Sequence, residues 1–187
     1  MSRRLPALLA VASLPVFTVY HFHRTHSLPI TRQPPNFVAL ASSNPAAASA
    51  LYARHLDVPI PSLKHAANAV FASTPYALEL ALSGAPTYDP RISHMTVPGE
   101  KWGFLTVESR PSENEVIYRY SAEDIDFQMY IATPALINGA GRRDLLIGFV
   151  DKTGDWSRNL GSRVYLRVLC EAAARKLDVL HNHPLLA

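Results

Sequence analysis

The sequence predicts an α+β domain in which an antiparallel sheet grips a long C-terminal helix, with a transmembrane helix at the N-terminus. Three observations lead there. Residues 101–133, KWGFLTVESRPSENEVIYRYSAEDIDFQMYIAT, read as three successive strands of alternating polarity. Residues 159–183, NLGSRVYLRVLCEAAARKLDVLHNH, repeat apolar side chains at helical spacing. Residues 5–20, LPALLAVASLPVFTVY, contain no charge.

The chain has 187 residues, 48% of them hydrophobic, enough for one core with an appendage. Its formal charge of +3 is unevenly spread. No acid precedes Asp57, whereas Arg3, Arg4, Arg24, Arg32 and Arg54 all do, and beyond that point acids slightly outnumber bases. The folded part therefore lacks the basic footprint of a nucleic-acid groove, and no nucleic-acid partner is expected. The single cysteine, Cys170, excludes an internal disulfide and a multi-cysteine metal site. It reads as a small helical residue rather than a nucleophile, because no His or basic residue is arranged to lower its pKa.

The uncharged run opens on Leu5 and closes on Tyr20. As a helix it is about 24 Å long at roughly 1.5 Å per residue, short of the hydrocarbon core of about 30 Å. Phe22 and snorkelling by Arg4 and Arg24 make up the difference. A cleaved secretory signal competes, but no small-x-small site follows, only HFHRTH. An uncleaved single span is the expectation, and the chain's partner there is a membrane. Arginines on both flanks leave orientation open. An acid-free, Arg- and Ser-containing start suits mitochondrial import, so the mitochondrial inner membrane and the endoplasmic reticulum are the two expected locations.

His21, His23 and His26 match no closed zinc pattern and have no Cys or carboxylate beside them, so they read as interfacial residues and no metal is expected. The HNH of residues 181–183 reads as a tail. With Pro29, Pro34 and Pro35, residues 27–45 read as an extended linker. The expected divisions are a membrane anchor or targeting segment over 1–26, this linker over 27–45, and an α+β domain over 46–187.

Within that domain a first strand is expected near 51–59, with Tyr52, Leu56, Val58 and Ile60 on one face and Arg54 breaking the pattern. Ser62 reads as the N-cap of a helix. A second helix starts at Ser73 or Thr74, with Pro75 in its first turn, and Gly84 ends it. Residues 85–99, APTYDPRISHMTVPG, are a loop long enough to act as a lid.

In the strand series, strict alternation from Trp102 puts Trp102, Phe104, Thr106 and Glu108 on one side of the first strand. Val116, Tyr118 and Tyr120 share a side of the second, and Phe127, Met129 and Ile131 a side of the third. The Gly-containing loop INGAGRR then leads to a fourth strand, DLLIGFVDK. Gly139 and Gly141 suit a hairpin loop better than a phosphate cradle, since no helix follows. On the terminal helix Val164 or Tyr165, Val168, Leu169, Ala172, Ala173, Leu177 and Leu180 form the apolar face, with Arg163, Arg167, Glu171, Arg175 and Asp178 elsewhere. One apolar helix face and one apolar sheet face cover each other.

This order of elements resembles the START-like helix-grip superfamily, of polyketide cyclase and lipid-transport type. More narrowly, PGEKWGFLTVESRPSENEVIYRYSAEDIDFQMYI followed after a strand by NLGSRVYLRVL is similar to a largely bacterial domain-of-unknown-function family (DUF2867-like) placed near that superfamily. The similarity spans about residues 50–181, and the N-terminal apolar run departs from the family's usual pattern. The resemblance implies a curved sheet around a helix with an apolar pocket between them, serving lipid transfer, ligand binding or cyclisation.

The candidate ligand-binding residues are Trp102, Phe104, Tyr118, Tyr120, Phe127 and Met129, because these large side chains face a helix lined by the small Ala172 and Ala173. The competing expectation is that the loop over 85–99 folds in and fills the space. No nucleophile elbow, dinucleotide fingerprint, phosphate loop or metal-binding helix occurs, and no cofactor is expected. Asp124 and Asp126 read as surface or strand-end acids, and His55, His65 and His94 carry no distinguishing context. Glu108 is the candidate acid or base, since burial beside Trp102 and Phe104 would raise its pKa. Three functions follow as expectations: a membrane-tethered binder of a hydrophobic small molecule or lipid, a cyclase or isomerase of a polyketide-like or polyene substrate, and a structural or assembly factor without ligand.

Overall fold

The computed structural model describes residues 25–43, 47–122, 125–134, 144–154 and 156–182. The predicted span over 5–20, the INGAGRR loop, His21, His23, Asp124 and His183 lie outside them. Among the described residues no helix is long and apolar enough to cross a membrane.

The chain is α+β. Its strands are β1 (Thr25–Ser27), β2 (Ala48–His55), β3 (Lys101–Trp102), β4 (Leu105–Ser112), β5 (Glu115–Ala122), β6 (Ile125–Ala132) and β7 (Asp144–Asp151). The helices are α1 (Pro35–Ser42), α2 (Leu63–Phe71), α3 (Thr74–Ser83) and the long α4 (Trp156–Asn182). Among the described residues the seven strands form one antiparallel sheet in the order β1-β2-β7-β6-β5-β4-β3. The meander from β3 to β7 pairs neighbours in sequence, and β2 closes onto β7 only after α2 and α3 have crossed one face.

The sheet buries both faces, unequally. Its inner face meets α2, α3 and α4 through Tyr52, Leu105, Val107, Val116, Tyr118, Met129, Ile131, Leu145, Ile147 and Phe149. Helix α4 lies over β2 and β7 and against α2 and α3. It buries Leu166, Leu169, Cys170, Ala173, Ala174 and Leu177, a three-and-four spacing that makes one continuous stripe. The stripe is rotated from the predicted face: Val164 is exposed and Val168 and Ala172 are half-buried, while Cys170 and Ala174 point inward.

Helix starts follow local chemistry. The Ser62 hydroxyl accepts the His65 amide at 3.4 Å in front of α2. Ser73 precedes α3 with Pro75 in its first turn, and Gly84 closes that helix at φ 71°.

Of residues 27–45, predicted as an extended linker, residues 27–43 are described and are part of the fold. Ser27 pairs with Tyr52 at the sheet edge, and Pro34 and Pro35 stand at the N-cap and first position of α1, where a missing N–H costs nothing. Proline starts this helix instead of forbidding it. Phe37 on α1 is completely buried against the outer face, 5.3 Å from the Tyr130 ring, with Leu51, Ala53, Ile117, Leu146 and Val150 around it. Gly148 makes that approach feasible, since a Cβ there would stand 2.6 Å from the Phe37 ring.

Two strand readings also change. The first strand of the domain runs 48–55 instead of 51–59, with Leu56 and Ile60 buried just beyond it. The aromatic side of β4 shifts by one residue, because Gly103, at φ 60°, and Phe104 form a tight turn between β3 and β4 that interrupts the alternation. Leu105 and Val107 face the core, and Thr106 and Glu108 do not share a side with Trp102.

Candidate ligand site

The register aligns Leu105, Tyr120, Phe127 and Asp151 in one row across β4, β5, β6 and β7 at one end of the inner face. Val107, Tyr118, Met129 and Phe149 form the next row inward. The six predicted ligand residues therefore divide by depth. Tyr118 and Met129 are fully buried in the core, whereas Trp102, Phe104, Tyr120 and Phe127 are half-buried.

Around Tyr118 the interior is occupied by the chain itself. Phe71 packs edge-on against Tyr118 and Tyr76, with ring centroids 5.1 and 5.0 Å apart, and tilted against Tyr88. The Tyr118 hydroxyl donates to the Met95 carbonyl at 2.7 Å. The loop over 85–99 thus folds inward. Met95 is completely buried at a φ of 51°, a left-handed conformation uncommon outside glycine. Glu100 holds the end of this loop by accepting the Thr96 and Val97 amides at 2.7 and 2.9 Å. Those amide bonds, acting against burial, keep its carboxyl below the usual carboxylate range. Trp102 belongs to the same closure: its indole N–H donates to the Pro86 carbonyl at 3.0 Å and its ring meets Tyr88 edge-on.

The outer row is different. Phe104, Tyr120 and Phe127 form a half-buried ladder, with Tyr120 stacked on Phe127 at 4.6 Å and tilted against Phe104 at 5.5 Å. Beside it, Glu79 on α3 accepts a short hydrogen bond from the Tyr165 hydroxyl on α4. The Tyr120 phenol lies close enough to the same carboxyl to feel its charge. Burial raises the Glu79 pKa, and the neighbouring phenols of Tyr165 and Tyr120 only partly oppose it. The Tyr165 and Tyr120 phenols are raised in turn, by burial first and by the neighbouring Glu79 charge second. Tyr76, one turn before Glu79, fixes the floor by donating to the Trp102 carbonyl at 2.9 Å.

A carboxyl of raised basicity, the Tyr165 phenol and the rings of Phe104, Tyr120 and Phe127 meet where α3, α4 and the ends of β5 and β6 converge. Such a group can hold an apolar body against the rings and a polar end at the carboxyl, and burial makes that carboxyl a stronger base than a solvated one.

Glu108, the predicted acid or base, stands apart from this group. It is exposed, and its carboxylate accepts from Gln128 Nε2 at 2.5 Å. Asp126 lies near Arg119 and Lys152 at 3.8 and 3.9 Å. His55 pairs with Asp144 where the end of β2 meets the start of β7, and His65 with Ser62. Glu79 and Tyr165 escape sequence reasoning, although Glu79 has a signal: it is the one acid between Asp57 and Asp89, in an otherwise uncharged helix. Compared with family models, with curated proteins and with solved structures, the chain matches none.

Proposed function

We propose that the protein binds a hydrophobic small molecule or lipid at the outer aromatic row, tethered to a membrane through residues 5–20. The observation that carries this reading is the half-buried ladder of Phe104, Tyr120 and Phe127 beside the Glu79 carboxyl. Rings that pack on one another while remaining partly in water offer apolar area, and the carboxyl with its phenols offers one fixed polar end. The kinship with the START-like helix-grip superfamily belongs to the same proposal. It is supported by the order of strand, two helices, antiparallel meander and terminal helix. With β1 opening at Thr25, a span ending at Tyr20 would hold the folded part close to the bilayer.

Binding of an environment-sensitive lipid probe to the full-length chain tests the site. Phe127→Ala and Phe104→Ala should each weaken binding by about ten-fold or more, because a lost aromatic contact of this kind is worth about 1.5 kcal/mol or more. Unchanged affinity in both folded variants would remove the ladder from the site. For the tether, the chain should stay in membranes through an alkaline carbonate wash, and its release would count against residues 5–20 as a span.

One observation favours a second reading, a cyclase or isomerase in the same place: a half-buried carboxyl of raised pKa, bonded to the Tyr165 phenol, is suited to general acid–base work. Mass spectrometry of molecules copurifying with the full-length chain separates the two. A reactive polyene or polyketide that is converted by the wild type and not by Glu79→Gln would favour the enzyme. A ligand recovered unchanged from both would favour the binding protein.

A further inference from the structure

Resting on the membrane tether proposed above, we propose that α3 and the N-terminal half of α4 form a docking face for the bilayer, with Leu78, Leu82, Leu160 and Val164 set among the lipids. These four side chains are 42, 54, 52 and 37% exposed. One exposed leucine needs no explanation, but here two pairs at i,i+4 spacing each line one side of a helix, and the two helices pack on each other. Leu78 and Val164 directly precede Glu79 and Tyr165, whose hydrogen bond joins α3 to α4. Ala81 is exposed beside the leucines of α3, and Glu79, the one charged residue of that helix, is bonded to Tyr165.

A lipid surface is the occupant because of where residues 5–20 meet the fold. The uncharged run ends at Tyr20, five residues before Thr25, and so few residues reach roughly 17 Å at about 3.4 Å each. Thr25 is fastened to α4 itself: its hydroxyl donates to Glu171 and its carbonyl accepts from Arg167. Val164 stands seven residues before Glu171, about 10 Å along the helix and on nearly the same side of it. A bilayer that takes up the run is therefore within reach of this face, and α3 meets it without burying an exposed charge. Arg163, exposed next to Val164, has a stem long enough to place its guanidinium among the phosphates. The same two helices border the candidate ligand site, so docking sets that site beside a reservoir of apolar molecules.

The test attaches a fluorescent label through Leu82→Cys to the full-length chain reconstituted into phosphatidylcholine vesicles. Cys170 is completely buried and stays unlabelled. Glu113→Cys, in the exposed turn between β4 and β5, is the comparison. Iodide in the water should quench position 82 about five-fold less than position 113, and spin-labelled lipid about five-fold more, as expected for a residue about 5–10 Å into the headgroup boundary. Leu78→Cys should behave as Leu82→Cys does, so the outcome does not hang on one variant folding. A chain retained by the vesicles with position 82 open to iodide overturns the docking face and leaves the tether standing. A chain that the vesicles do not retain overturns both. Shielding from iodide and from lipid alike overturns the bilayer as occupant and marks the face as covered by protein, either a second copy or the chain's own residues 5–20.

Discussion

A carboxyl held between phenols and away from bulk water favours its neutral form, and for Glu79 this makes folding depend on pH. Its folded pKa lies above the ordinary 4.5. The stability contributed by the protonated group is therefore complete below that value and is lost as pH rises through the folded pKa. Glu79→Gln keeps an acceptor for Tyr165 without a charge to desolvate. Melting curves taken between about pH 4 and pH 8 should show the wild type losing stability relative to this variant as pH increases, then running parallel to it. A difference that does not vary with pH would mean that the carboxyl is better hydrated than its position suggests. A buried acid elsewhere has different partners. Glu171 on α4 accepts from Arg54 Nε at 3.2 Å and from the Thr25 hydroxyl at 2.8 Å, with Arg54 and Glu171 each 7% exposed. Arg54→Ala would leave the buried carboxylate only the Thr25 hydroxyl and the half-buried Arg175 and should cost about 3 kcal/mol by chemical denaturation, whereas Arg54→Met with Glu171→Met should cost much less. Near-equal losses would mean that packing, not the charge, decides this corner.

Among the helices, α4 carries the most packing and was the most legible in sequence. Leu177 is buried in its inward stripe, and Leu177→Ala should cost roughly 2–5 kcal/mol as a core truncation. Arg175 is half-buried and donates to Glu171 at 3.4 Å across one helical turn, and Arg175→Ala should cost about 1 kcal/mol or less. Similar losses at both positions would place the stripe wrongly. Periodicity located this helix, and capping residues located α2 and α3, because those signals act within a few residues. The face of β4 was read one residue out of phase, since a local rule cannot see that Gly103 turns the chain. An added Cβ at Gly103 would also stand 2.6 Å from Leu80, which ties that turn to α3. Of the candidate site, Phe104, Tyr120 and Phe127 were legible as large side chains in a strand series. Glu79 and Tyr165 were not, because they meet only when α3 and α4 pack on the sheet, 86 residues apart in sequence.

At the scale of the whole molecule, the N-terminal segment decides where the folded unit begins. Composition puts that boundary near Ala46, after the prolines. The structure moves it to Thr25 or earlier through two independent attachments. On the inner side, β1 pairs with β2, the Thr25 hydroxyl reaches Glu171, and Arg167 Nη2 donates to the Thr25 carbonyl at 3.0 Å. On the outer side, α1 inserts Phe37 among Leu51, Tyr130, Leu146 and Val150. A chain beginning at Asn44 would lose both, uncovering an apolar sheet face and unpairing part of a buried charge cluster. Removing the Phe37 side chain alone should cost about 3–5 kcal/mol, and a domain of this size has only about 5–15 kcal/mol in total. A chain beginning at Thr25 should therefore melt cooperatively, while one beginning at Asn44 should bind anilinonaphthalene sulfonate, melt broadly and aggregate. Equal melting of the two would show that β1 and α1 lie on the sheet without stabilising it. The folded unit would then begin near Ala46, and residues 27–45 would act as a tether.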